Sequence, residues 1–554
     1  MFSIDLDEGY NGQTALLMMR GHHLYSEIWS DQPPLWYLAL AAWFRVAGVS
    51  LGHGRWLALL VSSVFILGFS RVVRSVSGLR TAFWAALLLV SASQFMLLCR
   101  AMMAAVPALT LAMLACGIIL RAGSRERLLG FVAAGVLMGL ALQVKLNMAM
   151  MLLVLLVVLL RAGKARAGHW NARAALPAGV FLLSAVVGFG LVAVIYREDA
   201  AGLIRDHWAA RQHGLFAGVS RWSQVPDLIM GDYLLWILAL PGLWLAVRGR
   251  RLEQSLPAVW LIVVSVVLFS HRPAWWHYKV MFQVPLAWLA AMTLNRFIEW
   301  GSGQAGEVKR PGNALAIGVY VLLLGVLLPA RWLQAREDCR PAHYPVSEQV
   351  LEALRAFAKE TRWVVTDDYQ VFPFQLGLAV PPELAGTSYK RKAMGELTAE
   401  YLADIIRRYD PEQMLFSATY PYPDALLDLA EERYLAASPR PAFVHLVRKD
   451  LVQAAGEGAG GKWSGDVAGT VAAALWQSSS APRMLPMLNH MARILVGRGR
   501  PLDALPLAER ACDISGYQQA EFMETLAAAR EAAGQDEGAR LLRERFGLGG
   551  AQRP

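Results

Sequence analysis

Cysteine is scarce in this 554-residue chain, and the four present are scattered at Cys99, Cys116, Cys339 and Cys512. That number and spacing exclude a disulfide framework and a cysteine-rich zinc site. Cys99 and Cys116 fall in apolar runs, where a small thiol is ordinary packing. Charge is thin as well, with Asp, Glu, Lys and Arg making up 17% of residues. No Cys-x-x-Cys pair, Walker-type lysine loop or His-Glu-x-x-His helix occurs, which removes thioredoxin-like, P-loop and zincin chemistry. The amino end carries two aspartates by Asp7 and no basic residue, so it is not a signal peptide.

What the chain has in abundance is apolar surface. A hydrophobic content of 56% and a mean hydropathy of +0.37 are too high for a water-soluble protein of this length. Apolar area on that scale takes lipid as its solvent. The net charge of +10 does not point to nucleic acid, because many arginines sit in short links beside apolar runs. There they set topology and meet anionic headgroups. Ten runs are apolar enough to cross a bilayer, near 55–73, 81–98, 104–120, 128–144, 146–160, 175–196, 234–247, 257–271, 280–295 and 314–331.

The links between these runs alternate in character, and that alternation decides whether Leu35–Leu51 also crosses. Arg45 lies in the middle of that segment, where insertion costs about 2.5–3.5 kcal/mol. With 35–51 lying flat in the interface, the arginine-rich links all fall on one side: Arg71, Arg74, Arg80; Arg121, Arg125, Arg127; Arg161, Lys164, Arg166, Arg173; Arg248, Arg250, Arg251; Arg296, Lys309, Arg310. With 35–51 crossing, every cluster would move outside, against the positive-inside rule. The segment therefore reads as an interfacial helix opened by Pro33-Pro34. Met1 and everything beyond Arg331 then lie outside, in a bacterial periplasm, and a first span is expected ahead of an amino end that starts outside.

The outer links carry the chemistry. They hold Arg197-Glu198-Asp199, Asp206-His207-Trp208, Arg211-Gln212-His213 and the run His271-Arg272-Pro273-Ala274-Trp275-Trp276-His277-Tyr278-Lys279. Acids for proton transfer, cations for phosphate and aromatic faces for a sugar or prenyl chain converge here. Each tryptophan taken singly reads as a headgroup-level anchor. Lys145, which closes Gly139–Lys145 at a span end, suits a snorkelling anchor or a phosphate contact equally. Asp7-Glu8 opens an amphipathic segment, Tyr10–Arg20, where acids favour a helix amino end. The helix dipole does not explain a further acid, Asp31, fixed ahead of a double proline, so Asp7 and Glu8 are the catalytic candidates.

Asp7-Glu8-Gly9-Tyr10-Asn11, Arg20-Gly21-His22-His23-Leu24-Tyr25, Asp31-Gln32-Pro33-Pro34-Leu35-Trp36-Tyr37, Phe44–Ser50 and Gly139–Lys145, in that order, resemble one family. They are similar to the bacterial membrane glycosyltransferases of the GT-C fold, the group with protein O-mannosyltransferases and lipid A aminoarabinose transferases. The resemblance covers roughly residues 1–331 and implies transfer of a sugar from a polyprenyl-phosphate donor to an acceptor on the outer face. It implies that Asp7, with Glu8 beside it, is the general base, and that Asp31 and Gln32 line the same cavity. Tyr10, His213, Trp276, His277 and Tyr278 complete the expected donor and acceptor cavity, and Arg100, Lys145, Arg272 and Lys279 the expected phosphate contacts. No ligand spacing demands a metal; Asp31 with His213 or His277 is the set that would hold one. Two departures stand out. The family's opening span is missing before the acidic motif, and Ala105 stands two residues before Pro107 where the family has an acid.

Past Arg331 the composition turns polar. Trp363–Asp368, Gln413–Ser417 and Ala442–Val447 read as short buried strands, with helices at Leu397–Tyr409 and Asp424–Tyr434 between them, an α/β pattern. Asp367-Asp368 ends the first strand, and with no phosphate loop beside it a turn or capping role is expected. Residues 453–480, rich in Gly, Ala and Ser, read as a linker. Beyond them Ala492, Gly499 and Ala504 recur 35 residues later as Ala527, Gly534 and Ala539, close to the tetratricopeptide period. The expected organisation is a GT-C-like helical membrane domain at 1–332, a soluble α/β domain at 333–452, a linker, and a tetratricopeptide-like tail at 481–550 available to a protein partner. The expected activity is inverting glycosyl transfer at the inner membrane with a periplasmic active face. Two other readings remain: a catalytically weakened scaffold, favoured by Ala105, and a transporter or flippase, disfavoured because charges gather at one face rather than at mid-membrane.

Overall fold

The computed structural model describes residues 6–125, 127–196, 225–249, 252–270, 275–301, 345–440, 443–456, 462–478 and 484–548, with a few positions between 325 and 336. Two compact units are present, Met1–His343 and Tyr344–Pro554. The first is helical. Among the described residues its principal helices are α1 (Leu6–Met19), α2 (Leu35–Ala47), α3 (Leu51–Ser77), α4 (Leu79–Val90), α5 (Ser93–Leu98), α6 (Ala105–Arg125), α7 (Leu128–Val144), α8 (Ala149–Ala167), α9 (Ala172–Ala193), α10 (Tyr233–Arg248), α11 (Leu256–Ser270) and α12 (Lys279–Gly301), with a short helix at Val225–Met230 ahead of α10. Among the described residues, five helical stretches are long and apolar enough to cross a membrane: Leu51–Ser77, Ala105–Ala122, Leu146–Ala165, Ala172–Tyr196 and Glu253–Ser270. The tenth expected span, 314–331, falls almost wholly outside the described residues.

Helix α2 has 13 residues and so spans about 20 Å, short of the roughly 30 Å of a hydrocarbon core. Trp36, Tyr37, Leu40, Ala41 and Phe44 form its buried face, while Arg45 is exposed. This one-sided burial is compatible with the interfacial helix expected at 35–51. The run expected as one span at 81–98 is two helices instead, broken at Ser91-Ala92. The Ser91 hydroxyl turns back onto the Leu87 carbonyl at 2.8 Å, and the Phe95 amide bonds to the Gln283 side chain at 2.8 Å. An inserted side chain of this kind is a recognised way to interrupt a helical ladder.

Helix packing relies on small residues rather than on hydrophobic exclusion, as expected where lipid is the solvent. A Cβ at Gly139 of α7 would collide with the Ala185 carbonyl of α9, and one at Gly135 with the Phe181 carbonyl. Gly242 of α10 meets the Leu289 carbonyl of α12 in the same way. The outward faces are apolar: Trp56, Leu60 and Leu67 on α3 and Leu183, Val186 and Leu191 on α9 are all more than half exposed.

The second unit holds a five-stranded sheet: β1 (Val364–Thr366), β2 (Gln413–Ser417), β3 (Tyr434–Ala437), β4 (Phe443–Arg448) and β5 (Trp463–Ser464), in the order β1-β2-β4-β3-β5. β1 and β2 are parallel and the other pairings antiparallel. Around it lie α13 (Pro345–Arg355), α14 (Ala399–Tyr409), α15 (Asp424–Arg433), α16 (Val467–Ser478), α17 (Leu485–Gly497), α18 (Pro501–Ser515), α19 (Ala520–Ala532) and α20 (Asp536–Phe546). The stretch expected as a linker, 453–480, is a correction: β5 pairs with β3, and α16 buries Val467, Ala468, Val471 and Leu475. Alanine-rich sequence reads as linker, yet alanine is a strong helix former when one face has a core to meet. α17–α20 form two helical pairs in which Ala492, Ala504, Ala527 and Ala539 are fully buried, as the repeat spacing requires. Their apolar faces join the same core as the sheet, and Arg498 ties α17 to Asp424 and Glu431 of α15.

Gly139→Ala is expected to lower stability by about 1–3 kcal/mol through overpacking. Gly179→Ala, with no atom within 4 Å of the new Cβ, is expected to be neutral or slightly stabilising. Thermal unfolding of the detergent-solubilised protein compares them; equal midpoints for the two variants would contradict the close α7–α9 contact.

Candidate functional site

The acidic motif is resolved into two unlike carboxylates. Asp7 and Glu8 are neighbours in the first turn of α1, so their side chains leave the helix about 100° apart. Glu8 points inward and is fully buried, whereas Asp7 is exposed. Glu8 makes a bidentate pair with Arg55 of α3, Nε to Oε1 at 2.9 Å and Nη2 to Oε2 at 2.5 Å. Its Oε1 also accepts the Met102 amide at 2.9 Å. The Met102 carbonyl accepts from the Asn11 side chain at 2.9 Å and from the Trp36 indole at 3.4 Å. The short link between α5 and α6 is thereby gripped by α1 and α2. Gly54 of α3 lets the link come close, because a Cβ there would strike the Met102 side chain.

The double-proline motif packs beside this clamp. Asp31 is buried and takes a hydrogen bond from the Gln32 amide at 3.0 Å. The Tyr10 hydroxyl donates to Ser30 at 2.7 Å, Ser30 and Tyr37 lie 3.2 Å apart, and Tyr10 and Tyr37 meet edge to face at 6.0 Å. The Tyr25 hydroxyl donates to the Gln32 carbonyl at 2.8 Å. Tyr25 holds φ of 75°, an uncommon value for a residue with a Cβ, and it touches the Tyr196 ring at 5.9 Å. Burial raises the pKa values of Tyr10, Tyr25 and Tyr37, and the Asp31 charge adds to the effect. The Asp7 charge also bears on Tyr37. These phenols therefore stay protonated and act as donors. Asp7, Tyr10, Asp31 and Gln32 are thus gathered in one region, with Glu8 holding its floor.

A second group lies along the same end of the bundle. Helix α2 packs on α7, whose carboxyl end carries Lys145. Lys145 is buried, and its ammonium lies 5.9 Å from the centre of the Tyr278 ring. His277 meets Tyr278 edge to face at 4.7 Å. Lys279 opens α12 beside Gly231. Arg100 sits two residues before the clamped Met102. Trp276 belongs to the short turn Trp276–Tyr278. His213 and Arg272 lie outside the described residues. Among the described residues no three His, Cys, Asp or Glu side chains gather closely enough to hold a metal ion.

Sequence reasoning passed over several residues that build this end. Arg55 was absorbed into the start of a span, although a charge in the first turn of an apolar helix signals a buried partner. Asp232, just ahead of α10, is buried and accepts the Gln283 amide at 2.6 Å, and Gln283 in turn holds the Phe95 amide. An acid at the mouth of a span and a glutamine inside one were the available signals. The Met102 amide and carbonyl carry no side-chain signal at all.

With this geometry in view, the chain compares with known proteins as follows. The dolichyl-phosphate-mannose-protein mannosyltransferase family matches residues 31–196. Among solved structures, ArnT from Cupriavidus metallidurans in the apo state is 17% identical with a TM-score of 0.54, over 80% of this chain and 93% of that one. The same protein bound to undecaprenyl phosphate gives 17% identity and 0.56, over 81% and 95%. The apo oligosaccharyltransferase of Archaeoglobus fulgidus gives 13% identity and 0.50, over 78% and 69%. No curated protein sequence matches. The chain shares its fold with ArnT and the archaeal oligosaccharyltransferase, in line with the resemblance read from the motifs.

Removing one partner of a buried ion pair costs about 3–5 kcal/mol, because the other charge is stranded. Glu8→Met and Arg55→Met are each expected to destabilise on that scale, and the double variant to lose less than either single one. Thermal unfolding of the three proteins checks this; additive losses would show that the two side chains do not interact.

Proposed function

We propose that this chain is a membrane glycosyltransferase that moves a sugar from a polyprenyl-phosphate donor to an acceptor hydroxyl at the outer, periplasmic face of an inner membrane. The observation that carries the reading is the division of labour at Asp7-Glu8: Glu8 is spent on Arg55 and Met102, and Asp7 is left exposed beside Tyr37 and Asp31. Support comes from the shared fold with ArnT, one structure of which holds undecaprenyl phosphate.

The reaction that fits is a single inverting displacement. An acceptor oxygen bonds to the anomeric carbon as the bond from that carbon to the phosphate oxygen breaks, and Asp7 takes the acceptor proton. General-base work of this kind contributes about 10²–10⁴-fold. The prenyl phosphate leaves as a stable anion, with Lys145, Lys279, Arg100 and Arg272 as the cations that neutralise it. Tyr10, Asp31 and Gln32, with His213, Trp276, His277 and Tyr278, are the proposed cavity. The Tyr10 oxygen and Asp31 accept from sugar hydroxyls. A divalent ion, if used, would fall to Asp31 with His213 or His277. The prenyl tail stays in lipid between the helices.

The specific observation for a second reading, a silent relative that organises other proteins, is Ala105, which is buried where the family carries an acid. The tetratricopeptide-like tail would be the partner site in that case, although much of its apolar surface already packs against the sheet.

Purified protein in lipid, given a panel of radiolabelled polyprenyl-phosphate sugars, is expected to release prenyl phosphate with one of them. Asp7→Asn is expected to slow release at least 10²-fold with an unchanged unfolding midpoint; full activity in that variant removes the assignment. Loss of the Lys145 ammonium forfeits a charge-assisted bond of about 1.5–3 kcal/mol. Lys145→Met is therefore expected to raise the donor KM by roughly ten- to a hundredfold, and an unchanged KM would return Lys145 to a membrane anchor.

A further inference from the structure

The second unit contains a buried acid that nothing in the transferase reading uses. Asp367 follows β1 directly, at the carboxyl ends of the only parallel strand pair among the described residues, β1 and β2. Ligands of open α/β sheets bind outside the carboxyl ends of parallel strands. Asp367 is 7% exposed, and among the described residues no cationic side chain comes within ion-pair distance of it; Lys392 pairs instead with Asp368, at 2.7 Å. The Ser417 amide straddles both Asp367 oxygens at 3.3 Å each. The Asp368 amide bonds to Asp367 as well, but both donors are neutral, and among the described residues no cation pairs with the buried charge. Burial, with repulsion from Asp368, pushes the Asp367 carboxyl up to about 6. A buried acid perturbed in this way at a strand end is the kind of group that sites retain.

Its surroundings are built for polar contact. Tyr369, Thr419 and Tyr420 are half-buried, so they present both a packed side and an open one. Ser417 and Thr419 join hydroxyls at 2.7 Å, and the Tyr369 hydroxyl bonds to Ser417. Tyr420 stacks on Phe416 at 5.0 Å, which fixes its ring. Burial and the Asp367 charge raise Tyr369, and push Tyr420 up to about 12, so both phenols remain donors. The backbone beneath is rigid: Thr387 donates to the Asp367 carbonyl, and Gln370 bonds to both Asp367 and Thr387.

We infer that the carboxyl ends of β1 and β2 form a carbohydrate subsite, in which Asp367 accepts sugar hydroxyls, the Tyr369–Ser417–Thr419 hydroxyl chain accepts from sugar hydroxyls and donates its one remaining proton to a sugar oxygen, and Tyr420 offers an aromatic face. A fixed carboxylate acceptor, hydroxyls that both donate and accept, and an aromatic plane are the complement of a pyranose, whose hydroxyls do both and whose C–H face is apolar. The subsite stands apart from the transferase reading and does not depend on Asp7.

Saturation-transfer difference NMR tests it, using the full chain in lipid nanodiscs with millimolar methyl glycosides of glucose, galactose and N-acetylglucosamine. Wild type is expected to give saccharide signals. Asp367→Asn and the isosteric Thr419→Val are each expected to reduce them at least fivefold, and Asp7→Asn to leave them unchanged. Thr419→Val keeps the test decisive should Asp367→Asn unfold the unit. Absence of signal in wild type, wild-type signal in both strand-end variants, or loss on Asp7→Asn would overturn the subsite. Loss on Asp7→Asn would assign the sugar to the membrane cavity instead.

Discussion

The structure of the membrane unit depends on one buried ion pair. Glu8 and Arg55 come from segments separated by 47 positions, and neither charge is tolerable in that environment without the other. Their fork-like geometry fixes the roll of α1 about its axis. Once that roll is set, Asp7 must project away from the pair, since adjacent helical residues diverge. The Met102 amide adds a third member, so the link ahead of α6 is held by the same carboxylate. One acid of the motif is structural and the other is exposed.

This arrangement suits a protein whose core is packed in lipid. Hydrophobic exclusion gives little preference among helix contacts there, so register must come from close backbone approach and from polar pairs. Both devices appear at once. Glycines draw α7 onto α9 and α10 onto α12, and a small number of buried polar groups pin the end that carries the acidic and double-proline motifs. Asp232, Gln283 and the Phe95 amide repeat the logic across α10, α12 and the break between α4 and α5. The apolar outer faces of α3 and α9 are ordinary under this description, because they meet acyl chains rather than water.

Much of this was legible in the residues. A helix was expected at 35–51 and is found at Leu35–Ala47, and β2 follows the expected Gln413–Ser417 run because a short apolar stretch between turn signals has few alternatives. The buried alanines of the tail followed from a 35-residue recurrence. Other parts were hidden for physical reasons. The break at Ser91-Ala92 depends on Gln283, a residue almost 200 positions away, which no local pattern reveals. β3 and β5 are too short to announce themselves, and α16 is alanine-rich, so composition mistook a packed helix for a linker. Of the site, the acids and the double-proline motif were visible as motifs. Arg55 and Met102 were not, since one looked like a span boundary and the other acts through its backbone.

The account requires that the amino-terminal acids lie on the face of the membrane opposite the arginine clusters. Single cysteines in a cysteine-free background, placed at Glu27 and at Lys164 and treated on intact cells with a membrane-impermeant maleimide, test that directly. Labelling at position 27 with protection at 164 is the predicted result. Labelling at 164 with protection at 27 would contradict the assignment of the outer face, and with it the placement of Asp7 beside an externally presented sugar.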